Sequence, residues 1–359
     1  MGNKNIKQSI DIKNENKNSN LTINNENILN QKIHFLTNLV NDSYSDDWLI
    51  DKFIAFKSIN DIFYLIYSNY NKSIISYNII FNKKINETKK AHKTFITNFR
   101  YYLDNINKRD LIISISSDDN NIKLWNINNF ELLLNITKIY KAGYLESACF
   151  LNNENKYYIV TSNKSNSFAE SIKVYDFKGN KIKEINNSNE TTYYIDIYYD
   201  SESLNNYIIT GNIGYIKTYD YNENKIYHKY SDSNIGGRFS IIINKKKDVI
   251  ELIESSGDGN IRIWDFHLGI LLKKIKVSDE SLREICLWNE KYVFVGCDDK
   301  TIKIIELNNG KIIKELKGHN DKVLSIKVII HPKYGEYLIS KGAYNDQIII
   351  WTLKFSIFK

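Results

Sequence analysis

Along this chain, short apolar runs alternate with polar, turn-forming stretches, and no amphipathic pattern of helical period reaches twelve residues. One unit recurs: a strand-length segment that ends on an aromatic or bulky residue followed by a polar one. It reads Ser73-Ile-Ile-Ser-Tyr77-Asn78, Asn121-Ile-Lys-Leu-Trp125-Asn126, Ser171-Ile-Lys-Val-Tyr175-Asp176 and Tyr215-Ile-Lys-Thr-Tyr219-Asp220. It continues as Asn260-Ile-Arg-Ile-Trp264-Asp265, Thr301-Ile-Lys-Ile-Ile305-Glu306 and Gln347-Ile-Ile-Ile-Trp351-Thr352. The key positions 77, 125, 175, 219, 264, 305 and 351 are spaced by 48, 50, 44, 45, 41 and 46 residues.

Before each anchor lies a run rich in β-branched and aromatic residues, such as 111–116, 157–162, 250–253 and 292–296. These residue types favour strands. Several runs are apolar at almost every position, as expected of a strand covered on both faces. Between run and anchor sit Asp118-Asp119-Asn120, Gly257-Asp258-Gly259 and Asp298-Asp299-Lys300. Asp, Asn and Gly suit tight hairpins because they tolerate left-handed backbone angles. A period in the mid-forties matches a four-stranded propeller blade. The chain is therefore expected to be all-β, a single seven-bladed propeller of four-stranded antiparallel blades.

The repeat resembles the WD-repeat β-propeller family over about residues 33–359. Gly318-His319 precedes Trp351 by about one blade, and Ala91-His92 precedes Trp125 by nearly the same interval. Asp119, Asp258 and Asp299 each stand six residues before their anchor. The resemblance implies a buried hydrogen-bond chain in each well-formed blade: a turn Asp orients a His, the His meets a strand hydroxyl, and the hydroxyl meets the Trp indole. In blade two the members would be His92, Asp119, Trp125 and Ser114 or Ser116, with Ser116 the preferred choice. Asp258, Trp264, Asp299, His319 and Trp351 would serve elsewhere. Blades one, three and four depart from the pattern with Tyr77, Tyr175 and Tyr219, blade six with Ile305, and blade seven with Asn345 in the place of the Asp. Blade two alone is expected to approach a full set.

Residues 1–30 contain ten Asn and no aromatic residue. Such a segment cannot bury enough apolar surface to offset its ordering entropy, and is expected to be a disordered tail. The propeller then spans 31–359. Only eight residues follow Trp351, so the segment 31–39 is expected to supply the outer strand of the last blade and close the ring. The alternative is closure by Lys354–Phe358.

The net charge of +7 comes from lysines spread along the whole chain, so it marks no nucleic-acid surface. Cys149, Cys286 and Cys297 form no C-x-x-C pair and are expected to be buried thiols in a reducing compartment. The N-terminus lacks an apolar h-region and no apolar stretch approaches 18 residues, so neither a secretory leader nor a transmembrane segment is expected. The six histidines show no metal-ligand spacing, and no nucleophile elbow, Walker loop or dinucleotide fingerprint occurs. No enzyme activity, cofactor or metal is expected.

The chain is expected to be intracellular and cytoplasmic, a rigid loop-bearing scaffold read as an interaction platform or adaptor whose partners are other proteins. By alignment, Thr97, Ser147, Tyr194, Arg238, Arg283 and Leu324 begin the innermost strands and should line the channel mouth on one face. Each is equally compatible with an ordinary rim position. Two other readings stand beside this one. Met1-Gly2-Asn3-Lys4 resembles an N-myristoylation start, with Ile6 in the place of the usual Ser/Thr, which would make the chain a membrane-proximal adaptor acylated at Gly2. RNA association through a propeller face would need basic residues interleaved with exposed aromatics. Nucleic acid and small-molecule substrates are not the expected partners.

Overall fold

The computed structural model describes residues 33–35, 53–69, 71–141, 143–164, 171–185, 190–232, 236–331, 335–343 and 347–353. The expected tail and Gly2, Asn345, and Lys354–Phe358 lie outside the described residues.

The described residues form seven four-stranded antiparallel sheets and no helix. Blade one contains Phe53–Lys57, Phe63–Ser68, Ile74–Asn78 and Lys83–Thr88. Blades two to six run over 98–136, 144–185, 192–231, 238–276 and 282–317. In blades one to six the strands follow one another in sequence order from the axis outward. The first strands of neighbouring blades approach each other all the way round, including blade seven against blade one.

Blade seven is closed by the other end of the chain. Ile33–Phe35 pairs antiparallel with Ile348–Leu353, with Ile33 opposite Trp351 and Phe35 opposite Ile349. This is the first of the two closures expected; the alternative strand, Lys354–Phe358, lies outside the described residues. The closure leaves no outermost blade face without a neighbour.

The core lies between blades. Seven buried clusters each draw on two adjacent sheets. Phe53, Leu65 and Tyr67 of blade one pack with Ile329, Ile339 and Ile350 of blade seven, and Trp288 and Phe294 of blade six pack with Leu338 and Trp351. The second strands are therefore covered on both faces, and Phe63–Ser68 is buried throughout. The outermost strands see water on one side and carry charge, as in Lys181–Ile185. Hairpin chemistry is also local. Asn120, Gly259 and Lys300 hold the same left-handed turn position, with φ of 48°, 76° and 71°. Only glycine fits at 259, where a Cβ would lie 2.0 Å from the Ser278 carbonyl oxygen.

Candidate interaction surface and its buried supports

In blade two, Ile112 lies opposite Trp125 and Ser114 opposite Lys123. Ser114 is thus the diagonal neighbour of Trp125 on one face of the sheet, within reach of a large ring. The Trp125 indole N–H donates to Ser114 Oγ at 2.8 Å, and His92 Nε2 lies 2.7 Å from the same oxygen. An indole N–H can only donate, so Ser114 Oγ accepts from Trp125 and bridges it to the imidazole. Burial, reinforced by the nearby Lys123 ammonium and opposed by Asp119, pushes His92 down to about 3 and keeps it neutral.

The expected hydroxyl, Ser116, is not the partner. It faces Asn121, a further pair along the ladder from the indole, and instead meets Thr94 Oγ1 at 2.6 Å. Asp119 does not hydrogen-bond the imidazole either. Its Oδ2 accepts the backbone N–H groups of Lys93 and Thr94, both at 3.0 Å, and so fixes the connection that carries His92. Blade seven repeats the chain although blade two was expected to be alone: Trp351 donates to Ser340 Oγ at 2.8 Å, and His319 Nε2 lies 2.7 Å from it.

Other blades fill the hydroxyl slot differently. In blade three it is Thr161, 2.8 Å from the Tyr140 hydroxyl. In blade five Glu254 takes it, opposite Arg262 and diagonal to Trp264. Glu254 Oε1 lies 3.1 Å from Arg238 Nε and 3.4 Å from Arg262 Nη1, while Asp232 Oδ2 meets Arg262 Nε at 2.7 Å. Burial pushes Glu254 up to about 7 against the pull of both guanidinium groups. Burial would also raise Asp258, but its hydrogen bond and charge pairing with Arg262 hold it down to about 2. Asp299 of blade six caps its own turn, accepting Thr301 N–H at 3.1 Å, and pairs with Lys303 at 2.6 Å.

The six residues expected at the channel mouth separate into two sets. The innermost strands of blades three to seven each carry a register shift, between Leu145 and Ser147, Thr192 and Tyr194, Arg238 and Ser240, Leu282 and Ile285, and Val323 and Ser325. A bulge adds a residue and reverses which face its neighbours present. Arg283 and Leu324 lie within the bulges. Ser147 and Tyr194 lie one residue after theirs, and Arg238 one before. Ser147 is buried, and Arg238 is fully buried in the blade-five ion cluster, so neither can be a surface contact. Tyr194 turns inward, donating to Asp196 Oδ2 at 2.7 Å beneath the Arg100 guanidinium. Thr97 is tied to Ser117 Oγ at 2.7 Å.

The bulge residues missed by alignment are Tyr193 and Phe239. Together with Arg283 they form a half-exposed arc. The Lys164 ammonium lies 5.0 Å from the Tyr193 ring, Tyr193 meets Phe239 edge-on at 5.5 Å, and the Arg283 guanidinium lies 4.8 Å over Phe239. Asp298 holds Arg283 with two hydrogen bonds of 2.6 Å. Phe239 lies against backbone on its other side: a Cβ at Gly237 would stand 3.0 Å from its ring, and one at Gly257 3.2 Å. The Gly236-Gly237 pair was the available sequence signal for this seat.

Among the described residues no group of three or more His, Cys, Asp or Glu could hold a metal ion, and no helix is long and apolar enough to cross a membrane. The three cysteines are free and buried, and burial raises all three thiols, Cys286 to about 12.

No protein-family model matches the chain. Three curated proteins are similar to it. The WD repeat-containing protein 53 homolog of Dictyostelium discoideum is 26% identical over 289 residues, 68% of this chain and 73% of that protein. The WD repeat domain-containing protein 83 homolog of the same organism is 31% identical over 106 residues, covering 29% and 31%. The U3 small nucleolar RNA-associated protein 21 homolog of Schizosaccharomyces pombe is 34% identical over 74 residues. That match covers 21% of this chain and 8% of the relative, so this chain spans under a third of the length of the latter two proteins. A closed ring of seven four-stranded blades, stitched by His–Ser–Trp chains, defines a class. Together with these relatives it supports a WD-repeat β-propeller and identifies no subfamily.

Proposed function

We propose that this propeller is a non-enzymatic platform that binds protein partners on the face where its innermost strands begin. The observation that carries this reading is the arc of Tyr193, Phe239 and Arg283. Its rings are seated on glycine backbone and its guanidinium is aimed by Asp298. Rigid aromatic and Arg side chains lose little entropy on binding and dominate interface energetics. The arc suits a partner segment presenting an apolar side chain beside a carboxylate. The names of the relatives, WD repeat proteins, agree with a scaffold role. So do the use of His92 and His319 as buried bonding partners and the high thiol pKa values.

The test is proximity labelling and pull-down from the native cell with the parent and with Phe239→Ala/Arg283→Ala. Loss of the parent's specific partners is expected, with an unchanged melting temperature. Equal recovery by the double variant would remove the proposal. Cytoplasmic placement goes with this reading; acylation at Gly2, which would make the chain a membrane-proximal adaptor, is an alternative to it. Intact-mass measurement of the native N-terminus decides the latter, since only the acylated form carries the lipid mass. Association with an RNA-containing assembly is the second reading, favoured by the name of the fission-yeast relative. Salt-dependent retention on an RNA column discriminates it.

A further inference from the structure

Blades one and two enclose a cleft of about 810 Å³, which lies in the usual size range for small-molecule sites. Five ammonium groups line it, those of Lys72, Lys90, Lys93, Lys123 and Lys138. They come from four separate segments of the sequence. None forms an ion pair among the described residues, unlike Lys181, Lys303 and Lys327, which pair with Glu184, Asp299 and Glu284. The one carboxylate in the lining, Asp119, is occupied by two backbone N–H groups. Lys123 is anchored by donating to the Ala91 carbonyl at 2.6 Å, which aims its charge at the cleft wall. A second feature points the same way. His92 lines the cleft while 4% exposed, and its Nδ1 has no hydrogen-bond partner among the described residues.

We propose that this cleft binds a compact, multiply phosphorylated anion. Five lysines facing one space with Asp119 as the one carboxylate among them leave an excess of positive charge there, and a single phosphate carries too little charge to offset it. Lysine ammonium groups are point-charge donors suited to phosphate oxygens. The one aromatic wall, Phe95, is already capped by the Lys72 ammonium at 5.4 Å. A base stacking there would compete with that ammonium, which favours a linear polyphosphate or a phosphorylated polyol over a nucleotide. The site is separate from the aromatic arc across blades three to six and does not rest on the protein-binding reading.

Isothermal titration of the full chain at constant ionic strength tests this, with tripolyphosphate and inositol hexakisphosphate as probes and sulfate as control. One site per chain is expected, bound at least a hundredfold more tightly than sulfate. Whichever probe is preferred identifies the linear or the polyol form, and either supports the proposal. Lys90 and Lys138 have positive φ of 49° and 54°. Asn tolerates that backbone, so Lys90→Asn/Lys138→Asn should keep the melting temperature and lose at least tenfold in affinity. Lys93→Gln, at an exposed position, is the second variant should the first not fold. Phe239→Ala should bind the probes as the parent does. The proposal fails if neither probe outbinds sulfate, if folded lysine variants lose less than tenfold, or if a single-stranded RNA outcompetes both probes.

Discussion

Blades two and five build the same four strands and bury the same tryptophan, yet they fill the space beside it in opposite ways. In blade two the slot diagonal to Trp125 holds Ser114, a small neutral group that accepts from the indole and passes a hydrogen bond to His92. In blade five the slot diagonal to Trp264 holds Glu254, which is drawn to Arg238 and Arg262 and leaves the indole Nε1 without a hydrogen-bond partner among the described residues. The blade architecture therefore does not depend on the hydroxyl relay. It needs the slot to be filled by groups whose polar demands are met nearby, and a buried ion cluster answers that need as a neutral chain does. The two answers carry different penalties when broken. A neutral chain loses hydrogen bonds, and an ion cluster strands charges.

The largest effect should follow from breaking the cluster. Arg262→Met removes the partner of Asp258 and one partner each of Asp232 and Glu254, all in or against the core. It should cost about 3–5 kcal/mol in urea unfolding, as expected for removing one member of a buried ion pair. Ser114→Ala should cost less, about 2–3 kcal/mol, because it leaves two neutral groups unpaired, the Trp125 indole and His92 Nε2. If Ser114→Ala proved as costly as Arg262→Met, the distinction between the two blades would collapse.

The contrast also shows how far the sequence could be read. The ring of seven was legible because each blade must bury its faces on two neighbours, which forces the strand pattern and its spacing into every copy. Closure was legible as one of two options, since a ring must join its first and last blades, and Ile33–Phe35 takes the place expected of the segment 31–39. The slot in blade two was narrowed to two serines but not resolved, because Ser114 and Ser116 share a face and only the ladder register separates them. The bulges were invisible: loops of variable length absorb an extra residue without changing the anchor spacing, so Arg238 was placed on the rim when it lies in the core. The lysine cleft could not be seen, because blade stacking alone brings Lys72 and Lys138 together.

The two blades should also answer acid with opposite signs. His92 is held down to about 3 in the folded chain, below its ordinary 6.5. The unfolded state therefore binds more protons as pH falls from 6.5, and stability is lost over that range. Glu254 is raised to about 7 from 4.5, so the folded state binds more protons between those values and stability is gained on acidification. Each group contributes at most about 1.4 kcal/mol per pH unit. Between pH 6.5 and 4.5, His92→Gln should flatten the acid loss of the parent, and Glu254→Gln should steepen it. Urea midpoints across that window are the measurement, and changes in slope of the same sign relative to the parent in both variants would reject the assignment.

The smallest effect isolates the relay itself. Trp→Phe removes an indole N–H and some apolar area in either blade, and both tryptophans are almost fully buried, at 4% and 2% exposure. The area terms should therefore nearly cancel in the comparison. At position 125 the change also removes a donor that Ser114 Oγ accepts from, whereas at position 264 the N–H has no partner to lose. Trp125→Phe should thus be more destabilising than Trp264→Phe by about 1 kcal/mol, the net value of one buried neutral hydrogen bond. Adding Ser114→Ala should abolish that excess, because the second change removes the acceptor that the first left behind. Equal penalties at the two positions would mean that the Trp125–Ser114 bond contributes nothing to stability, and that Trp125, like Trp264, is held by the packing of its ring alone.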